Sequence, residues 1–155
     1  MTVQTHQFPQ TLYEQDYYLW LQTTIEQLRS GQFSVLDLEN LIEELASMGR
    51  SDRRALENLL TRLLEHLLKL AYWQSEREYN QRGWKGEIRT FRIQLQKLLK
   101  ESPSLKPYIA DVFDECYQNA RSVIIDVTGL PSDTFPQSMS ASLEQVLDQN
   151  WFPDY

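Results

Sequence analysis

The sequence predicts an all-α protein, a compact bundle of about six helices around a central Leu-rich helix. Three observations point there. Apolar side chains recur at spacings of three and four along most of the chain, and no useful stretch alternates with the period of two that a strand needs. Only 5 Gly and 6 Pro interrupt 155 residues, so long helices can run unbroken. One segment, from Ser51 to about Glu76, carries Leu56, Leu59, Leu60, Leu63, Leu64, Leu67, Leu68 and Leu70 over more than half its circumference. An arc that wide requires burial by several neighbours, which makes this helix the centre.

The elements follow in order. A first helix spans about Thr11 to Arg29. Thr11 followed by Glu14 reads as a capping box, and Tyr17, Leu21, Ile25 and Leu28 form its apolar stripe. Gly31 is its stop. A second helix spans about Val35 to Met48, with Ser34 as cap and Phe33 stapled onto Leu38. Val35, Leu38, Leu41, Ile42 and Leu45 share one side of it; Asp37, Asn40, Glu43 and Glu44 lie largely opposite. Gly49 ends it. The central helix follows, its narrow polar strip filled by Arg54, Asn58, Thr61, Arg62, Glu65 and Lys69.

Gln74 to Gly83 is polar and reads as a break. The fourth helix, about Trp84 to Lys100, has an apolar stripe of Trp84, Ile88, Phe91, Leu95 and Leu98. Beside it runs a polar stripe of Lys85, Arg89, Arg92, Gln96 and Lys100. Ser102-Pro103-Ser104 makes a turn. The fifth helix, about Leu105 to Thr128, tolerates Pro107 because it falls in the first turn. Gly129 stops it, and Pro131 to Gln137 is a loop. A short sixth helix, about Ala141 to Gln149, leads into the apolar tail Trp151-Phe152-Pro153. A single domain over residues 1–155 is expected, with residues 1–10 as a flexible extension.

Composition narrows the function classes. Hydrophobic residues at 41% and charged residues at 24% are ordinary for a globular chain and argue against disorder. The lone cysteine, Cys116, excludes an internal disulfide. No signal peptide and no run of about 18 apolar residues is present, so the expectation is a cytoplasmic protein with no membrane segment. A net charge of −7 makes nucleic acid an unfavoured partner, since binding phosphates requires a basic surface. The charge is segregated. Residues 1–81 carry a net −5, residues 82–106 a net +5, and residues 107–155 a net −7. Internal pairing of the basic segment is the simplest expectation.

Several residues stand out. His66 falls on the apolar arc of the central helix, where it either hydrogen-bonds a neighbouring helix or serves as a ligand or proton carrier. The acids of helix two, Asp37, Glu39, Glu43 and Glu44, have the residue type that holds magnesium in helical nucleotide hydrolases. Such a site needs a facing acidic pair, and Asp111 with Asp114 is the candidate. The helix-two acids point mostly away from the apolar face, which favours a solvated surface. Arg92 borders the apolar stripe of helix four and should be partly buried and paired, with Asp37 or Glu44 as the natural carboxylate. Cys116 reads as a packed small hydrophobe. Tyr13, Tyr17, Tyr18 and Trp20 cluster on the first helix. No glycine-rich phosphate loop, zinc spacing or serine elbow occurs.

Ordered motifs run through the chain: Tyr13-x-x-Asp16 and Trp20, Leu28-Arg29, and Asp37-x-x-Asn40-Leu41-Ile42-Glu43-Glu44-Leu45. They continue with His66-Leu67-Leu68-Lys69, then Trp84, Ile88 and Arg92, and Ser102-Pro103-Ser104-Leu105. Tyr117-x-x-Ala120, Thr128-Gly129-Leu130 and Phe135-Pro136 close the series. In this order the chain resembles a bacterial, mostly cyanobacterial, domain-of-unknown-function family, number twenty-nine. The resemblance implies a compact helical fold and carries over no catalytic residue or cofactor. It draws attention to Asp37, Asn40, Glu44, His66, Lys69, Trp84 and Arg92, as a site or as a structural polar network between helices two, three and four.

The reading is a protein-binding or regulatory module with no cofactor expected. The alternative is a metal-dependent hydrolase or nucleotide-binding protein that uses the helix-two carboxylates and His66.

Overall fold

A computed structural model describes residues 11–155. The expected flexible extension, residues 1–10, lies outside the described residues. Those described form six α-helices and no strand, as the periodicity predicts: α1 Leu12–Gln15, α2 Tyr17–Arg29, α3 Leu38–Tyr72, α4 Gln74–Glu101, α5 Lys106–Thr128 and α6 Leu143–Leu147. Single 3-10 turns occur at Phe33–Val35, Pro103–Leu105 and Ser132–Thr134. No helix among the described residues is long and apolar enough to cross a membrane.

The helix count agrees with expectation, but the divisions differ. The expected first helix is two, split at Asp16. The Asp16 carboxylate accepts from the Leu19 N–H at 3.0 Å and so caps α2. Thr11 makes no side-chain cap bond, so the Thr11–Glu14 box is absent. The expected second and third helices are one. Gly49 does not end α3, because a glycine within a helix costs only about 1 kcal/mol relative to alanine and good helix formers flank it. Gly31 and Gly129 do act as stops, with φ of 72° and 67° that only glycine adopts readily. The start of α3 is marked by Asp37 rather than Ser34: the Asp37 carboxylate accepts from the Asn40 N–H at 3.4 Å.

The expected break over Gln74–Gly83 shrinks to Trp73 (φ −88°, ψ 69°), and the polar segment is the first three turns of α4. Arg77 closes the junction. Its Nε donates to the Leu70 carbonyl and its Nη2 to the Ala71 carbonyl, each at 2.8 Å, which satisfies carbonyls the end of α3 leaves open. The sixth helix is shorter than expected and starts with a complete capping box between Ser142 and Gln145.

The chain divides into two compact units, Met1–Gly49 and Arg50–Tyr155. In the second, α3 from Leu56 onward supplies seven buried leucines, from Leu56 to Leu70. They meet Ile88 and Leu95 of α4, Ile109, Tyr117 and Ile124 of α5, and Phe135 and Val146 beyond it. Each such burial stabilises by about 1.5–3 kcal/mol relative to exposure. Within this unit α3 is the central Leu-rich helix the sequence predicts. The loop after α5 is tied back by that helix: Tyr117 donates to the Pro136 carbonyl at 2.6 Å, and Arg121 donates to the Ser132 carbonyl at 2.7 Å.

The first unit has little interior. Trp20 and Thr24 are its buried residues among those described. Two short helices and the start of a third enclose too small a volume for more. Most of its large apolar side chains among the described residues therefore remain exposed.

Candidate functional sites

His66 lies in a groove of the second unit, about 520 Å³ in volume, lined by side chains of α3 and α4. Lys69 and Trp84 line the same groove, so three of the seven polar-motif residues converge there. His66 is held on both sides. Its Nδ1 is 2.8 Å from the Arg62 carbonyl one turn earlier, and its Nε2 contacts the Glu87 carboxylate of α4. Both ring nitrogens thus face oxygen atoms of the protein. The ring packs against Phe91, centroids 5.3 Å apart, and Trp84 stacks on Trp73 at 5.9 Å with planes 14° apart. Glu87 is the partner that sequence reasoning missed. It lies on the predicted fourth helix, four residues before Phe91, whose ring packs on His66.

Among the described residues no group of three or more His, Cys, Asp or Glu stands where it would hold a metal ion. Cys116 is buried against the Glu57 carbonyl, Sγ to O 3.8 Å, and burial pushes its thiol up from the ordinary value, away from the nucleophilic thiolate.

Arg92 is fully buried, beyond the partial burial its position predicts, and its partner is a different one. Its Nε donates to the Val146 carbonyl at 2.7 Å, where a carboxylate was expected. Gln96, one turn on, donates to the Leu147 carbonyl at 3.0 Å. The two side chains together satisfy carbonyls at the end of α6. The Arg92 guanidinium lies 5.3 Å from the Phe152 ring centroid, and burial lowers its pKa to about 10. Lys85 also lies over Phe152, at 5.2 Å, and Arg77 over Tyr155 at 4.2 Å. Arg92 and Lys85 of the basic segment are thus held to a main-chain carbonyl and to the Phe152 ring, with the Asp148 carboxylate also acting on Arg92. One exposed pair, Lys97 to Glu101 at 4.0 Å, contributes little.

In the first unit Glu44 holds the centre of a tyrosine clamp. Tyr13 donates to Glu44 Oε1, and Tyr17 to Oε2 at 2.6 Å. The rings pack edge-on to one another and around Trp20, with Tyr13 to Trp20 centroids 4.8 Å apart. The hydrogen bond to Glu44 raises the Tyr13 phenol to about 12, and the two phenols hold the Glu44 carboxyl below its ordinary value. Asp37 and Asn40 pair locally, Asn40 Nδ2 to Asp37 Oδ2 at 2.8 Å, as part of the α3 cap.

Beside the clamp lies a run of uncovered apolar side chains. Leu38, Ile42, Leu45 and Met48 of α3 are 59%, 58%, 60% and 64% exposed, and Phe33 and Val35 before them are 66% and 58% exposed. Val35, Leu38, Ile42 and Leu45 are four of the five residues that the sequence places on one side of helix two; the fifth, Leu41, is half-buried.

Fold and sites together define an all-α protein with a polar groove in one unit and an open apolar face in the other. The match to known families agrees with that class. The chain belongs to the family described as Domain of unknown function DUF29, whose model matches residues 12–152. No curated protein and no solved structure matches it.

Proposed function

We propose that this chain is a protein-binding module, regulatory in effect, whose docking surface is the apolar face of the first unit. The observation that carries this reading is the exposure of Leu38, Ile42, Leu45 and Met48 along one side of α3. Singly exposed apolar residues need no explanation, whereas a contiguous stripe of them marks an interaction surface. The first unit is too small to enclose its own apolar content. Its side chains nonetheless line up along one face at helical spacing, the arrangement a partner helix or surface requires.

The test is affinity capture from cell lysate with the tagged full chain, alongside an Ile42→Lys/Leu45→Lys double variant. The reading expects a partner recovered near one-to-one by the parent chain and lost by the variant. Equal recovery by both, or no stoichiometric partner across several growth conditions, would overturn it.

A further inference from the structure

Resting on that reading, we infer that the partner presents a basic amphipathic helix to the apolar face of α3. Two features of the first unit select that chemistry. The first is shape. Leu38 to Met48 is eleven residues of uninterrupted helix, about 15 Å from first to last at 1.5 Å per residue. That length matches about three turns of a partner helix with anchors at i, i+3 or i+4, and i+7. Met48 and Phe33 at the edges are exposed, and methionine in particular adapts to partner shape.

The second feature is charge. Residues 11–49 hold seven acidic side chains and one basic, Arg29, for a net −6. On a helical wheel of 100° per residue the apolar stripe centres near Leu45. Glu39 falls on one flank of it and Glu44, whose oxygens accept from Tyr13 and Tyr17, on the other, while Glu43 lies nearly opposite. An apolar stripe with acids on both flanks complements a helix with an apolar stripe and cations on both flanks. The same charge opposes the other occupants. A second copy would bring −6 against −6, and an anionic membrane surface would be repelled.

The probe is a labelled 18-residue peptide of leucine and lysine, ordered to form an amphipathic helix, titrated with the full chain at physiological salt and read by fluorescence anisotropy. Two controls accompany it: the same peptide with glutamate for lysine, and a scrambled leucine–lysine peptide without helical periodicity. Binding of the ordered basic peptide at least tenfold tighter than either control is expected. Ile42→Lys/Leu45→Lys should weaken it at least tenfold. Glu39→Gln, a change on an exposed flank, should weaken it less and flatten its salt dependence.

Equal binding of ordered and scrambled peptides would overturn the inference, as would binding undiminished in the double variant. So would a dimer in sedimentation equilibrium that the double variant abolishes, because the occupant would then be a second copy. The two readings fail distinguishably. A stoichiometric partner captured through the face, with no preference for the basic peptide, removes the chemistry and leaves the module. Loss of both removes the module.

Discussion

Glu44 accepts from two phenols, and that sets how the first unit responds to pH. The Tyr13 phenol is raised from 10.0 to about 12, so the clamp's contribution is complete below pH 10 and is lost as pH rises toward 12. Glu44 is lowered from 4.5, so its contribution is present above pH 4.5 and is lost as pH falls through the lowered value. Between those limits the clamp is intact. A tyrosinate absorbance titration should show a group with a midpoint near 12 that returns toward 10 in Glu44→Gln. An unchanged titration curve would contradict the clamp. At this scale the sequence was partly legible. The burial of Arg92 followed from its place beside the apolar stripe. Its partner did not, because a main-chain carbonyl leaves no mark in the sequence, whereas a carboxylate does. The cluster of Tyr13, Tyr17 and Trp20 was visible as a group of aromatics on one segment. Its acceptor lies 27 residues beyond Tyr17 and was hidden by distance along the chain.

Individual elements were legible from their apolar periodicity, and their ends less so. Gly31, Gly49 and Gly129 look alike in sequence, yet two end helices and one lies inside α3. The difference is φ, which the flanking residues and tertiary contacts decide. It yields opposite outcomes for one substitution. A Cβ added at Gly49 meets nothing within 4 Å, and the backbone there is helical, so Gly49→Ala should stabilise by about 0.5–1 kcal/mol. Gly129 sits at φ 67°, so Gly129→Ala should destabilise by about 1–2 kcal/mol. Denaturant unfolding of the two variants measures both. A loss of stability at Gly49 would mean that α3 bends or breaks there. The polar start of α4 departs from the predicted break for a related reason. Low hydrophobicity predicts a break, but helix formation needs only that backbone groups pair; Arg77 supplies extra bonds at the junction and Asn80 one within the first turns of α4.

For the whole molecule, the helical class was readable because hydrophobic period, low glycine content and the leucine arc all agreed. The function was not, because the informative feature is an absence of cover. The stripe Leu38, Ile42, Leu45 and Met48 has the same spacing as the core stripe that follows it in α3. No pattern in the sequence separates a face that meets its own fold from one that meets a partner. Exposure separates them, and it makes the central claim measurable. If the face serves a partner, Ile42→Lys/Leu45→Lys changes only solvent-facing side chains. Its unfolding midpoint should then stay close to that of the parent, within about 0.5 kcal/mol per site. If those residues instead belong to the chain's own core, each buried charge would cost several kcal/mol and the variant would unfold or aggregate. Equilibrium denaturation of the double variant is the measurement. A midpoint within that margin is the expected result, and a loss of several kcal/mol would contradict the account.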